Sequence, residues 1–183
     1  MGTFSAFVLM LQGCEPSVAP LDPPPVGIPA PFVPVDDVEF VDAMSAHHRA
    51  TIEMTTEELE RGADPEVVAL ADEIRAARRM EFERMQTVRQ ALTRAPETPI
   101  EPDVHLAMDM HVLRAQSGAD LDQSFLEELI GVSARALDLA HRTRLHLDAD
   151  ELYDLAQLVE SRQAREIGQM RALLDRLEAV DPD

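Results

Sequence analysis

Residues 36–61 read DDVEFVDAMSAHHRATIEMTTEELER, and Gly62, Ala63, Asp64 and Pro65 follow. Asp36 with Glu39 three residues on has the form of a capping box, which opens a helix by satisfying free backbone donors at both ends of the pair. Phe40, Met44, His47, Thr51 and Met54 then step by four, three, four and three, so they share one helical face. Gly62 is expected to stop this helix just after Arg61 by supplying a left-handed residue. Asp64 and Pro65 restart the chain as N-cap and first helical residue. The second helix carries Val67, Leu70, Ala71, Ile74, Met85 and Val88 and fades near Arg94. The stretch therefore predicts a helical hairpin with an apolar stripe on each arm.

The hairpin recurs. At a constant offset of 85 residues, Phe40 falls on Phe125, Ile52 on Leu137, Ala71 on Ala156, Ile74 on Val159, Glu81 on Glu166 and Met85 on Met170. One register holds across two helices and their turn, as a duplicated unit requires. In the second copy Asp120 with Gln123 is expected to open a helix running to about Leu147. Asp148 with Glu151 should cap the last helix, whose apolar positions include Leu152, Leu155, Val159, Ile167, Met170 and Leu174. Pro96, Pro99 and Pro102 mark the loop between copies, and a short helix is expected over Val104 to Gln116. Two amphipathic hairpins bury each other's stripes best as an antiparallel four-helix bundle, so the chain reads as all-α over residues 36–178, with repeats 36–94 and 120–178.

Composition agrees. Aromatics are 4% of 183 residues and Trp is absent, which suits helix packing better than a sheet. The 16 basic residues are all Arg and face 35 acids, a net charge of -19 that repels phosphate backbones and argues against nucleic-acid binding. The single cysteine, Cys14, excludes an internal disulfide. It follows an apolar run, Phe4 to Leu11, in the sequence Leu11-Gln12-Gly13-Cys14, which has the form of a lipoprotein export signal. Residues 1–13 are thus expected to be the signal segment and Cys14 the lipidated mature N-terminus. The run is too short for a membrane span of about 20 residues. Residues 14–35, with Pro23, Pro24 and Pro25, read as an extended tether. The expected location is the cell envelope, lipid-anchored on its periplasmic or surface face. Glu15, rather than Asp, after the acylated cysteine leans toward the outer membrane.

The candidate chemistry sits on the first hairpin. Met44 lies three and four residues before His47 and His48, within reach of both imidazoles. Glu81 and Met85 lie on the facing stripe of the second helix, and a carboxylate there must find a partner. Thioether and imidazole together suit a soft ion, Cu(I) above all. The alternative from the same spacing is a core of Met filler with a His pair hydrogen-bonded to a neighbouring Glu. His105, His141 and His146 read as surface residues, while Met108, Met110 and His111 could add ligands from the short helix. No Glu-x-x-His pair of the di-iron kind, Gly-rich phosphate loop or paired nucleophile is present, so an enzyme is not expected.

The pattern Phe40-x-x-x-Met44-x-x-His47-His48-x-x-x-Ile52-x-Met54, with Leu70-Ala71, Ile74 and Glu81-Phe82-x-x-Met85, resembles the bacterial domain of unknown function family numbered 305. Residues from Leu113-Arg114 through Ser117-Gly118-Ala119-Asp120 and Phe125 to Gln163-x-x-Glu166-Ile167-x-x-Met170 are similar to that family's second repeat, over about residues 37–176 in all. The resemblance implies a ferritin-like bundle that is exported and, in some members, associated with copper binding and resistance. It carries over Met44, His47, His48, Met54, Glu81 and Met85 as the metal set. It also implies a Met and a His pair in the second repeat, where this chain has Leu129, Val132 and Ser133. Leu139 stands opposite Met54, and Arg78 stands where a Gln would precede Glu81. The expected function is therefore copper sequestration or metal resistance at the envelope, with a metal ion as ligand and self-association allowed. The rival is a helical scaffold of the envelope that binds no metal.

Overall fold

The computed structural model describes residues 36–94 and 110–180, which lie within one compact unit. Four long helices, α1 (Asp37–Arg61), α2 (Pro65–Thr93), α4 (Ala119–Thr143) and α5 (Asp150–Val180), are joined by a six-residue helix, α3 (Met110–Ala115). The expected signal segment, the expected lipidation site at Cys14, the expected tether, His105 and Met108 lie outside the described residues. Helix α1 starts as expected, with the Asp36 side chain accepting from Glu39 N–H at 2.8 Å. Asp64 caps α2 by accepting from Glu66 and Val67 N–H.

Three expected helix termini differ. Gly62 is extended, at φ -65° and ψ 158°, rather than left-handed. Glycine is needed there because a Cβ would collide with the Glu58 carboxylate. Gly118, at φ 66°, is the glycine that uses the left-handed region, and α4 starts directly after it with no side-chain cap. Asp120 therefore stands inside the first turn instead of capping it. Helix α4 also ends at Thr143 and passes into a 3₁₀ turn, Arg144–His146, so α5 begins at Asp150.

Helices α1 and α2 pack as one hairpin and α4 and α5 as the other, with α1 against α4 and α2 against α5. The end of α1 meets the start of α4: Gly118 N–H donates to the Arg61 carbonyl at 2.8 Å, and the Arg61 guanidinium donates to the carbonyls of Leu113, Arg114 and Gln116. All four neighbouring pairs thus run antiparallel.

The repeat is physical as well as textual. Asp37 accepts from the Asp148 and Ala149 N–H groups at 2.9 and 3.0 Å. Its counterpart 85 residues on, Asp122, accepts from Ala63 and Asp64 N–H, both at 2.9 Å. Each repeat's first helix therefore holds the turn of the other repeat. The apolar core obeys the same exchange. One cluster contains Phe40, Val41, Met44, Met85, Leu152, Leu155, Ala156 and Val159. The other contains Phe125, Leu126, Leu129, Met170, Val67, Leu70, Ala71 and Ile74, the same list under the offset. Between the clusters lies a buried polar layer of His47, His48, Thr51, Arg78, Glu81, Gln163 and Glu166. Among the described residues no helix is long and apolar enough to cross a membrane.

Candidate metal site

Helix α1 packs on α2 and α4 at once, so more than one stripe of it is buried. Phe40, Met44, His47, Thr51 and Met54 on the first face have no exposed surface. Neither does His48, about 100° round the helix. The two imidazoles make an edge contact, with ring centres 5.4 Å apart and planes at 75°. They look in different directions. His48 turns to α2, where Nε2 lies 2.8 Å from Glu81 Oε2. His47 crosses the core to α5, where Nε2 lies 3.3 Å from Gln163 Nε2. The Gln163 amide donates in that orientation, and its own Oε1 has no partner.

The protonation pattern follows from burial. Removal from water holds His47 well below the usual imidazole range, and the neighbouring His48, Arg78 and Arg135 push the same way. Burial also lowers His48, although its hydrogen bond to Glu81 opposes the shift. Burial alone would raise Glu81; the His48 hydrogen bond and the Arg78 and Arg162 guanidinia outweigh it and hold the carboxyl below its ordinary value. The pair is thus a neutral imidazole donating Nε2–H to an ionised carboxylate. That tautomer leaves the lone pair of His48 on Nδ1, which makes no well-formed hydrogen bond although the Met44 carbonyl one turn back lies close to the ring; His47 Nδ1 makes none either. A carboxylate behind an imidazole is the arrangement that orients metal-bound histidine and raises its basicity.

The six residues carried over do not form one cluster. Met44, one turn before the histidines on α1, and Met85 share the first apolar cluster, and Ser45 Oγ donates to Met85 Sδ at 3.8 Å. Met54 belongs to the other cluster, with Leu70, Ile74 and Phe125. Glu81 is fully engaged: Oε2 by His48 and by Arg78 Nη1 at 3.1 Å, Oε1 by Arg162 Nη1 at 2.7 Å. Met110 packs against the second cluster and His111 is exposed, so α3 brings neither to the histidines. His141 and His146 are exposed, the former paired with Glu160 at 2.6 Å. In the second repeat Leu129, Val132, Ser133 and Leu139 are buried, closing the equivalent space with apolar and hydroxyl groups. Among the described residues no three His, Cys, Asp or Glu side chains stand ready as a metal cage. A metal here must draw on sulfur as well as imidazole.

Sequence reasoning gave no role to Arg78, the largest fully buried side chain. Its Nη2 donates to Glu166 Oε2, so one guanidinium joins the carboxylates of both repeats. The signal was present in the spacing. Ile74, Arg78, Glu81 and Met85 step by four, three and four, which puts Arg78 on the buried stripe. Gln163, also unassigned, is its counterpart at the repeat offset.

No curated protein matches the sequence. Among solved structures, the chain superposes on Cu(II)-bound CopM with a TM-score of 0.71 at 23% identity, covering 77% of this chain and 97% of that one. CopM is also known in Cu(I)-bound and Ag-bound forms. A DUF305 fragment from Deinococcus radiodurans gives a TM-score of 0.69 at 24% identity, with 80% and 99% covered. A DUF305 protein from Streptomyces coelicolor, described as secreted, gives 0.67 at 22%, with 75% and 91% covered. At such identities the likeness speaks for the fold. The family model for the domain of unknown function DUF305 matches residues 37–174, the two hairpins and the helix between them, and the chain belongs to that family.

Proposed function

We propose that the bundle sequesters a soft metal ion, copper as Cu(I), through His47 and His48, with Met44 and Met85 completing the donor set. The observation that carries this reading is a pair of buried, neutral imidazoles whose Nε2 atoms are held by Glu81 and Gln163 while neither Nδ1 atom makes a well-formed hydrogen bond. Burial leaves these rings as free bases, the form a metal requires. Thioether and imidazole favour Cu(I) and Ag(I) over hard ions. Rotation of the Gln163 amide would let its Oε1 accept Nε2–H from His47 and free the Nδ1 lone pair, so one flip prepares the second ligand. Glu81 acts behind His48 and is not a ligand; Met54 is left out because it packs two turns away. The likeness to CopM, known with copper and silver bound, supports the same reading. The site would be held at the cell envelope by a lipid on Cys14 and the tether of residues 14–35.

The test is competition for Cu(I) and Ag(I) against a chelator of known affinity. One ion per chain is expected, with at least a hundredfold loss in His47→Ala and in His48→Ala. Radiolabelled palmitate uptake that disappears in Cys14→Ser tests the anchor. A second reading, a scaffold that binds no metal, is favoured by the closed second site at Val132 and Ser133 and by the fixed positive charge of Arg78. Absence of uptake at micromolar metal would select it.

A further inference from the structure

Ser45 stands on α1 between Met44 and the histidines and has no exposed surface. Its hydrogen bonds run in one direction. The Gln86 amide donates from Nε2 to Ser45 Oγ at 3.1 Å, so the hydroxyl oxygen is an acceptor there and its own proton goes elsewhere. Ser45 Oγ donates that proton to Met85 Sδ at 3.8 Å, a length suited to sulfur. Gln86, Ser45 and Met85 thus form a relay across the α1–α2 interface that ends on a thioether. The relay lies beside the imidazoles. Ser45 and His48 are three residues apart on α1, and Met85 and Glu81 are four apart on α2. Ser45–Met85 and His48–Glu81 are therefore neighbouring rungs between antiparallel helices, about 5 Å apart along the axis. The His48 ring lies against the Met44 carbonyl, which puts its Nδ1 side toward the Ser45 rung. The duplication supplies an internal control. Under the 85-residue offset Met85 answers to Met170, Ser45 to Ile130 and Gln86 to Arg171. Neither methionine has any exposed surface, yet only the repeat that keeps His47 and His48 sets a hydroxyl beside the sulfur.

We propose that Ser45 is a positioning residue, which turns the Met85 thioether so that its remaining lone pair is offered to a soft ion held by His47 and His48. This deepens the soft-metal reading above and rests on it. Methionine carries three rotatable torsions and a sulfur that is a weak acceptor. A hydrogen bond to one lone pair fixes the direction of the other, so less ordering is left for the moment of metal binding. The same bond draws some electron density from the sulfur, but a neutral O–H···S contact of this length is weak, and the gain in order prevails. Alanine at position 45 removes the donor, whereas threonine keeps it. The Gln86 amide is half-buried and reaches water when the hydroxyl is gone, so the loss falls on the thioether.

The test uses the full chain with carbon-13 in its methionine methyl groups, the Met85 signal being assigned by Met85→Leu. Ser45→Ala is expected to shift the Met85 methyl resonance of the metal-free chain and to leave that of Met170 in place. It should also weaken silver binding about three- to tenfold, the scale of one neutral hydrogen bond. Ser45→Thr is expected to restore both, and circular dichroism checks that each variant folds. An S45A chain with an unmoved Met85 methyl, or with silver affinity equal to or above that of the wild type, overturns the proposal. So does a folded S45T chain that behaves as S45A does. The methyl resonance is read without metal, which separates the two levels of the argument. A wild type that takes up no silver overturns the soft-metal reading, and the donor role with it, even where the methyl shift shows that Ser45 holds the sulfur.

Discussion

Glu58 offers the sharpest test of how the repeats are locked together. It lies one turn before the end of α1, has no exposed surface, and neither carboxylate oxygen has a well-formed hydrogen bond. Gly62 packs on it, and Asp122, which holds the Ala63 and Asp64 N–H groups, stands beside it. Burial pushes the Glu58 carboxyl up to about 8, helped by Asp122 and the charge of Asp64, with Arg61 opposing. The group is therefore a neutral acid at pH 7. Its counterpart at the other end of the bundle, Thr143, is also buried and uncharged.

The perturbation is Glu58→Gln, which keeps the shape and fixes the neutral state. A carboxyl whose folded value is raised binds its proton more tightly in the native state. Its stabilising contribution is full below the unfolded value of 4.5 and is lost as pH rises toward about 8. His47 and His48 are lowered from 6.5, so their effect runs the other way, stability rising with pH until the unfolded imidazoles have lost their protons, about a unit above 6.5. E58Q carries the same histidines, so the gap between the two chains isolates the acid. At about 1.4 kcal/mol per pH unit, that gap should widen by about 1.5 kcal/mol between pH 6.5 and 8 in favour of E58Q. Urea unfolding followed by circular dichroism at half-unit steps reads this as midpoints that diverge at constant slope. A gap that stays constant or narrows between pH 6.5 and 8 would refute the burial argument.

Three further outcomes follow from the same geometry. Asp37→Ala and Asp122→Ala each strip the acceptor from two backbone N–H groups at a helix turn, and each should cost about 1–3 kcal/mol in urea unfolding. Asp122→Ala alone should also shift the pH window of Glu58 downward, because its carboxylate neighbour is gone. Met54→Leu should leave silver affinity unchanged and cost less than about 1.5 kcal/mol of stability, whereas Met44→Leu should weaken silver binding measurably in the same competition assay. Since burial holds both imidazoles below 6.5, silver affinity should change little between pH 8 and 6.5, where a free imidazole would already be losing its base form.

The bundle was legible because its information is local: a cap at Asp36, a restart at Asp64 and Pro65, and stripes of period 3.6 that recur at one offset. What periodicity does not carry is height along the axis. Met54 shares a face with His47 but lies seven residues, about 10 Å, further along, and so falls in the other apolar cluster. Nor does it carry direction. Asp120 looked like a cap, yet Asp122 is the residue that caps anything, and the turn it holds belongs to the other repeat. Arg78 and Glu58 sat on buried stripes by spacing alone, but their partners, Glu166 and Asp122, come from helices 88 and 64 residues away in the chain. The duplication itself explains why these departures matter. In a pseudo-twofold bundle each repeat supplies half of the central layer, so a change in one is answered by the other's side chains. A histidine placed at Val132, the counterpart of His47, would face Arg78 where His47 faces Gln163. Restoring the second His pair without also replacing Arg78 would therefore set an imidazole against a buried guanidinium, and the charge at position 78 bears on both halves of the molecule.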